Sequence, residues 1–168
     1  MTTSLGRARA VGIGSRVGTA RDVGGSAEDE LVAPHGPTER NPVDFASIRV
    51  ITDDVDRLAS FYEHVTGATA ARPAPVFAEL RTGTGTLAIG STATVAMLGD
   101  RAPKPGSNES VIIEFLVEDV DAEFARLRDV LDDVVLAPTT MPWGNRSTLF
   151  RDPDGNLVNL FARPTSRD

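Results

Sequence analysis

The chain has 168 residues, 40% of them apolar and 24% charged, which fits one domain of about 100 to 200 residues with a tail and excludes two large ones. No window approaches the ~18 uninterrupted apolar residues of a membrane span, and a net charge of −7, from 17 Lys and Arg against 24 Asp and Glu, argues against nucleic acid as a partner. Cysteine is absent, which rules out disulfides, thiolate metal sites and a cysteine nucleophile and makes a reducing, cytoplasmic location the expectation.

Residues 1–42 contain no aromatic side chain and no sustained helical or strand periodicity, and they end in the Pro-rich run from Val32 to Pro42. They read as a flexible extension without a core of its own. Four arginines and no acid in the first 21 residues faintly imitate a targeting peptide, but Gly12, Gly14 and Gly18 oppose the amphipathic helix such peptides form.

Regular patterning starts after Asp44, and residues 43–164 read as the folded domain, with 165–168 a short tail. Ala46 to Thr52 alternates and is β-branched, a strand signal. Asp53 or Asp54 then caps a helix with Val55, Leu58, Ala59, Tyr62 and Val65 on one stripe and Gly67 as its stop. Strands are predicted at Val76–Arg81, Thr86–Ile89 and Thr94–Leu98. The order recurs: strand Val111–Val117, a helix capped by Asp119 with Val120, Phe124, Leu127 and Leu131 along one face, then strands at Val134–Ala137, Ser147–Phe150 and Asn156–Ala162. Asp54-Val55-Asp56 repeats as Asp119-Val120-Asp121 at an offset of 65, and Thr86-Leu87 as Thr148-Leu149 at 62. The domain is therefore a duplicated βαβββ unit, module one spanning 43–100 and module two 108–164.

Strand alternation assigns faces. Val111, Ile113, Phe115 and Val117 form a uniformly apolar face that belongs under the helix, leaving Ile112, Glu114 and Leu116 opposite; in the first strand Ile48 and Val50 oppose Ser47, Arg49 and Ile51. Arg49 and Glu114 are also mates at the 65-residue offset. They are expected either to form a salt bridge between modules or to present a donor and an acceptor to a polar ligand. Asp152-Pro153-Asp154-Gly155-Asn156 reads as a hairpin turn rather than a calcium loop, since the later ligands are missing.

The two βαβββ units, the helix end Phe61-Tyr62-Glu63-His64-Val65-Thr66-Gly67, and Phe150-Arg151-Asp152-Pro153-Asp154-Gly155-Asn156-Leu157-Val158 together resemble the vicinal oxygen chelate superfamily. That group includes glyoxalase I, extradiol dioxygenases, fosfomycin-resistance enzymes and bleomycin-resistance proteins. The resemblance covers residues 43 to 164. It implies an α+β fold in which paired βαβββ modules form a cup-shaped mixed sheet, and it implies a homodimer, since many relatives complete their cups across a twofold axis. It does not fix activity, because the scaffold hosts lyases, oxygenases, transferases and binders.

Metal-using relatives carry a His or Gln on each module's first strand and a Glu on the last strand of one or both modules. Those positions correspond here to Ser47, Ile112 and Asn159, with Met97 as the first-module counterpart of Asn159. None is a His or a carboxylate, and the two histidines lie elsewhere, His35 in the extension and His64 in a helix. No metal and no other cofactor is expected, and without a cup histidine no Ser-His-Asp arrangement can form.

Thr139 to Arg146 holds Trp143, the single Trp, in a Pro/Gly-punctuated loop; it either plugs the core edge or offers an aromatic platform beside Asn145 and Arg146. The leading expectation is a metal-independent, bleomycin-resistance-like protein that binds a small molecule without chemistry. Ile51, Ile112, Leu116, Met97 and Phe161 would enclose the ligand, and Arg49, Glu114, Asn159 and Trp143 would orient it, with Ser47 also facing the cup. One alternative is an enzyme in which an apolar cup makes Glu114 a general base and Arg49 steadies an oxyanion. Another is an accessory or partner-binding domain.

Overall fold

A computed structural model describes residues 43–164; the extension, His35 and the last four residues lie outside it. Module one begins with β1 (Ile48–Thr52). Asp54 then starts α1 (Val55–Thr66) by accepting a hydrogen bond from the Arg57 amide at 3.0 Å, satisfying one of the orphan donors of a helix's first turn. Gly67, at φ 69°, closes the helix with its amide on the Glu63 carbonyl, a left-handed position that suits glycine. The buried stripe is Val55, Leu58, Ala59, Phe61, Tyr62 and Val65.

β2 (Ala71–Ala74), β3 (Phe77–Arg81) and β4 (Thr86–Ser91) complete the unit. Two of these assignments depart from the sequence pattern. β2 reads Ala-Arg-Pro-Ala and carries no strand signal; it holds an edge position, where proline is tolerated. Glu63 anchors it by accepting from the Ala70 amide at 2.8 Å and from the Arg72 guanidinium at 2.9 Å. The predicted strand Thr94–Leu98 is instead part of a 3-10 helical segment, Thr92–Arg101, broken at Gly99. Ser91 accepts from the Ala93 amide and Thr94 donates back to the Ser91 carbonyl at 2.8 Å, local bonds that compete with strand pairing. β4 already lies between β1 and β3, so no free ladder awaits another strand there.

Module two repeats the plan with β5 (Ile112–Leu116), α2 (Val120–Leu127, capped by Asp119), β6 (Val134–Thr140), β7 (Arg146–Arg151) and β8 (Leu157–Ala162). The strands form two open four-stranded mixed sheets, ordered β1-β4-β3-β2 and β5-β8-β7-β6, each with its first strand parallel to its last. The structural equivalent of β8 is therefore β4. The match of Thr86-Leu87 to Thr148-Leu149 had paired β4 with β7 instead, an error of one strand.

The apolar faces of both sheets meet the helices in one core that includes Leu58, Tyr62, Leu80, Ile89, Phe150 and Leu160. Phe61 packs edge-on against Tyr62 and Phe150, with ring centroids 5.4 and 6.2 Å apart. Polar contacts also join the modules. Tyr62 donates its hydroxyl to buried Asp152 at 2.8 Å, and Arg126 donates to the carbonyls of His64 and Val65 at the end of α1. Burial and the Asp152 carboxylate push the Tyr62 phenol well above its ordinary pKa, so it remains a hydrogen-bond donor throughout the accessible pH range.

Candidate functional site

Parallel pairing fixes which side chains share a face. Arg49 lies beside Ala88, and Glu114 beside Asn159, so the face of module two opposite the helices presents Ile112, Glu114 and Leu116 from β5 with Leu157, Asn159 and Phe161 from β8. This face is open: Ile112 is 45% and Leu116 56% exposed. Asn159 donates its amide to Glu114 Oε1 at 2.8 Å, which orients the carboxylate, while its own Oδ1 is buried without a partner.

Arg49 and Glu114 do not form the expected salt bridge. Among the described residues neither has an ion-pair partner, and they line different cavities. Arg49 borders one of about 420 Å³ with Ile48, Ile51, Val111, Ile113 and Asn108. Glu114 borders one of about 500 Å³ along the outer edge of β5, facing Phe45, Ile48 and the Thr82–Thr86 turn. Equivalence under a pseudo-twofold does not imply contact, because only residues near the axis meet their own mates. Glu114 is exposed rather than enclosed in an apolar cup.

The other candidates fall elsewhere. Ser47 is exposed just ahead of β1, and Ile51 is buried on the Arg49 face. Met97 is 90% exposed in the 3-10 segment, so it is not on module one's last strand; the pairing puts Ala88 at the position equivalent to Asn159. Trp143 is 67% exposed in the β6–β7 turn, neither plugging the core edge nor bordering either cavity. Asn145 closes that turn by accepting from the Met141 amide. Arg146 points to the helix side, where it makes a bidentate pair with Asp121 at 2.7 and 2.9 Å; that bond raises the Arg146 pKa and lowers that of Asp121. Phe45 and the Thr82–Thr86 turn were missed by the sequence reading. A lone aromatic ahead of the first strand and a Thr/Gly turn carry no motif.

The model of the glyoxalase/bleomycin resistance protein/dioxygenase superfamily matches residues 44–160. The chain belongs to this superfamily. Solved structures agree on the fold. A glyoxalase/bleomycin resistance protein/dioxygenase family enzyme from Burkholderia phytofirmans is 18% identical, with a TM-score of 0.64 over 71% of this chain and 98% of that one. A glyoxalase/bleomycin resistance protein/dioxygenase from Nocardioides is 22% identical (TM-score 0.61; 83% of this chain, 91% of that one). A lactoylglutathione lyase from Agrobacterium tumefaciens is 21% identical (TM-score 0.56; 72% of this chain, 94% of that one). No curated protein matches the chain.

The positions that the resemblance assigns to metal ligands are Ser47, Ile112 and Asn159, with Ala88 in place of Met97 by ladder register. They do not fit a divalent ion. Two are apolar, and the Asn159 end that faces Glu114 is a donor, while its orphan oxygen is closed off. Among the described residues no three His, Cys, Asp or Glu cluster as ligands, and His64 turns its Nδ1 to the Ser60 carbonyl on α1. No helix among the described residues is long and apolar enough to cross a membrane.

Proposed function

We propose that this superfamily member binds a small molecule without a metal, as bleomycin-resistance-like proteins do, and carries out no chemistry on it. The observation that supports this reading is the donor set. The resemblance assigns Ser47, Ile112 and Asn159, with Ala88 as the ladder equivalent of Asn159, the roles that imidazole and carboxylate fill in a metal-using relative, and one hydroxyl with one half-buried amide is too weak a set for a transition metal. Polar groups on the same faces suit recognition instead. Arg49 supplies a fork of donors beside Ile51 in one cavity, and Glu114 an acceptor beside Ile112 and Leu116 in the other.

The open face of module two is the part a second copy would cover, and we propose a cytoplasmic homodimer as the working form. Exposed Ile112 and Leu116 make an apolar patch rimmed by polar groups, the pattern of an interaction surface.

Thermal shift over a compound panel tests the reading, because a ligand of the native state raises its melting temperature. Shifts are expected to be the same with and without divalent metals, and each hit is expected to survive incubation unchanged. Near-stoichiometric iron, manganese, nickel or zinc retained after dialysis against a chelator, or turnover of a hit that depends on such an ion, would overturn it.

A further inference from the structure

The cavity beside Glu114 narrows the class of ligand. Its walls are apolar or neutral: Phe45, Ile48, Leu80, Leu87 and Ile112 on the sides, and the Thr82–Thr86 turn at one end. Among the described residues Glu114 is the one charged residue that lines it. Asn159 holds one carboxylate oxygen at 2.8 Å, and among the described residues Oε2 has no protein donor. Phe45 lines the same space, and the face of an aromatic ring attracts a cation. Charge over the whole domain points the same way, with eleven Lys and Arg against 18 Asp and Glu in residues 43–164, a surplus that concentrates cations near the surface and repels anions. Arg49 borders the other cavity, and Arg81, next to the Thr82–Thr86 turn, is paired with Glu79.

We propose that this cavity takes a molecule with one cationic nitrogen on a flat apolar body, the nitrogen donating to Glu114 Oε2 and the body lying among Phe45, Ile48 and Ile112. The volume of about 500 Å³ falls within the roughly 300 to 1,000 Å³ of small-molecule sites. The proposal rests on the small-molecule reading above and deepens it, since that reading leaves the ligand's charge open.

Three probes of similar size and different charge test it on the full chain: 2-phenylethylamine, benzyl alcohol and phenylacetate, each titrated by calorimetry at low and high salt. Saturable binding of 2-phenylethylamine alone is expected. Glu114→Gln should weaken it about tenfold, the loss of a charge-assisted hydrogen bond. Asp132→Asn removes an equal charge elsewhere and should change affinity less than about twofold, as a distant screened charge does. Amide resonances of Thr82–Thr86 and Ile112–Leu116 should move on titration. The proposal fails if 2-phenylethylamine does not bind, or if Glu114→Gln and Asp132→Asn weaken it equally. It also fails if phenylacetate or benzyl alcohol binds as tightly, an outcome that leaves the small-molecule reading standing. Metal retention after chelation would instead overturn the small-molecule reading itself.

Discussion

Tyr62→Phe and Asp152→Ala test how the modules are held together, and they should differ in a way the hydrogen bonds determine. Asp152 is 5% exposed and accepts from the Tyr62 hydroxyl at 2.8 Å, the Asn156 amide at 2.8 Å, the Asn156 side chain at 2.7 Å and the Asp154 amide at 2.9 Å. Tyr62→Phe removes one hydrogen bond to a charged group, worth about 1.5 to 3 kcal/mol. It leaves the carboxylate with three donors and the ring packing intact, so about 1.5 kcal/mol is the expected cost. Asp152→Ala strips the acceptor from all four donors, two of them on buried Asn156 and one on fully buried Tyr62. At about 1 to 3 kcal/mol for each buried orphan, the loss should exceed 4 kcal/mol, a large part of the roughly 5 to 15 kcal/mol a domain possesses. Urea unfolding with an unchanged m value is the assay. A double-mutant cycle should show coupling of at least about 1 kcal/mol, as for groups in direct contact. Tyr62→Phe within about 0.5 kcal/mol of wild type, or an Asp152→Ala cost no larger than that of Tyr62→Phe, would show that the Tyr62–Asp152 network does not hold the modules together.

Other substitutions probe separate parts of the argument. Because Arg49 and Glu114 are not in contact, the stability changes of Arg49→Met and Glu114→Gln should add within about 0.5 kcal/mol; coupling above about 1 kcal/mol would mean that they pair, within one chain or across two copies. The Arg72 guanidinium and the Ala70 amide hold the Glu63 carboxyl down from 4.5 to about 2. A folded-state value below the unfolded one stabilises above the unfolded value and is lost as pH falls through the folded one. Glu63→Gln should therefore cost about 1 kcal/mol at neutral pH, the scale of a solvent-screened pair with one added amide bond. That difference should fade between pH 4.5 and about 2, and a gap that persists at the acid end would refute the ion-pair account. Trp143, at 67% exposure, should show water-like emission and rapid acrylamide quenching. Slow quenching would mean that another surface covers the β6–β7 turn.

Much of the fold was legible because local signals and tertiary structure agree. Asp54 and Asp119 cap the two helices as the sequence indicates, and the apolar stripe Val55, Leu58, Tyr62 and Val65 is the buried one. Where the signals failed, the determinant was not local. β2 has no β-branched residue and exists because β3 offers an edge and Glu63 ties Arg72 down. Thr94–Leu98 alternates like a strand, but the Ser91 and Thr94 hydroxyls bond nearby backbone. A hydroxyl that bonds two or three residues away is invisible to a period-2 pattern.

The site was less legible for a related reason. A repeat offset measures sequence distance, whereas equivalence in a sheet is set by ladder register, and the two modules have hairpins of different length. The offset of 65 between helix caps makes Ser47 the equivalent of Ile112, across a stretch where strand and cap are adjacent in the chain. Carried across three strands, a similar offset lands on Met97, while the ladder puts Ala88 beside Arg49 just as Asn159 lies beside Glu114. The correction strengthens the chemical argument, since the thioether of Met97 is at least a soft donor, whereas the methyl group of Ala88 offers a metal nothing. Of the four positions only Asn159 retains a polar group on its sheet ladder, and that group is committed to orienting Glu114. In this arrangement the Asn159 amide serves the Glu114 carboxylate.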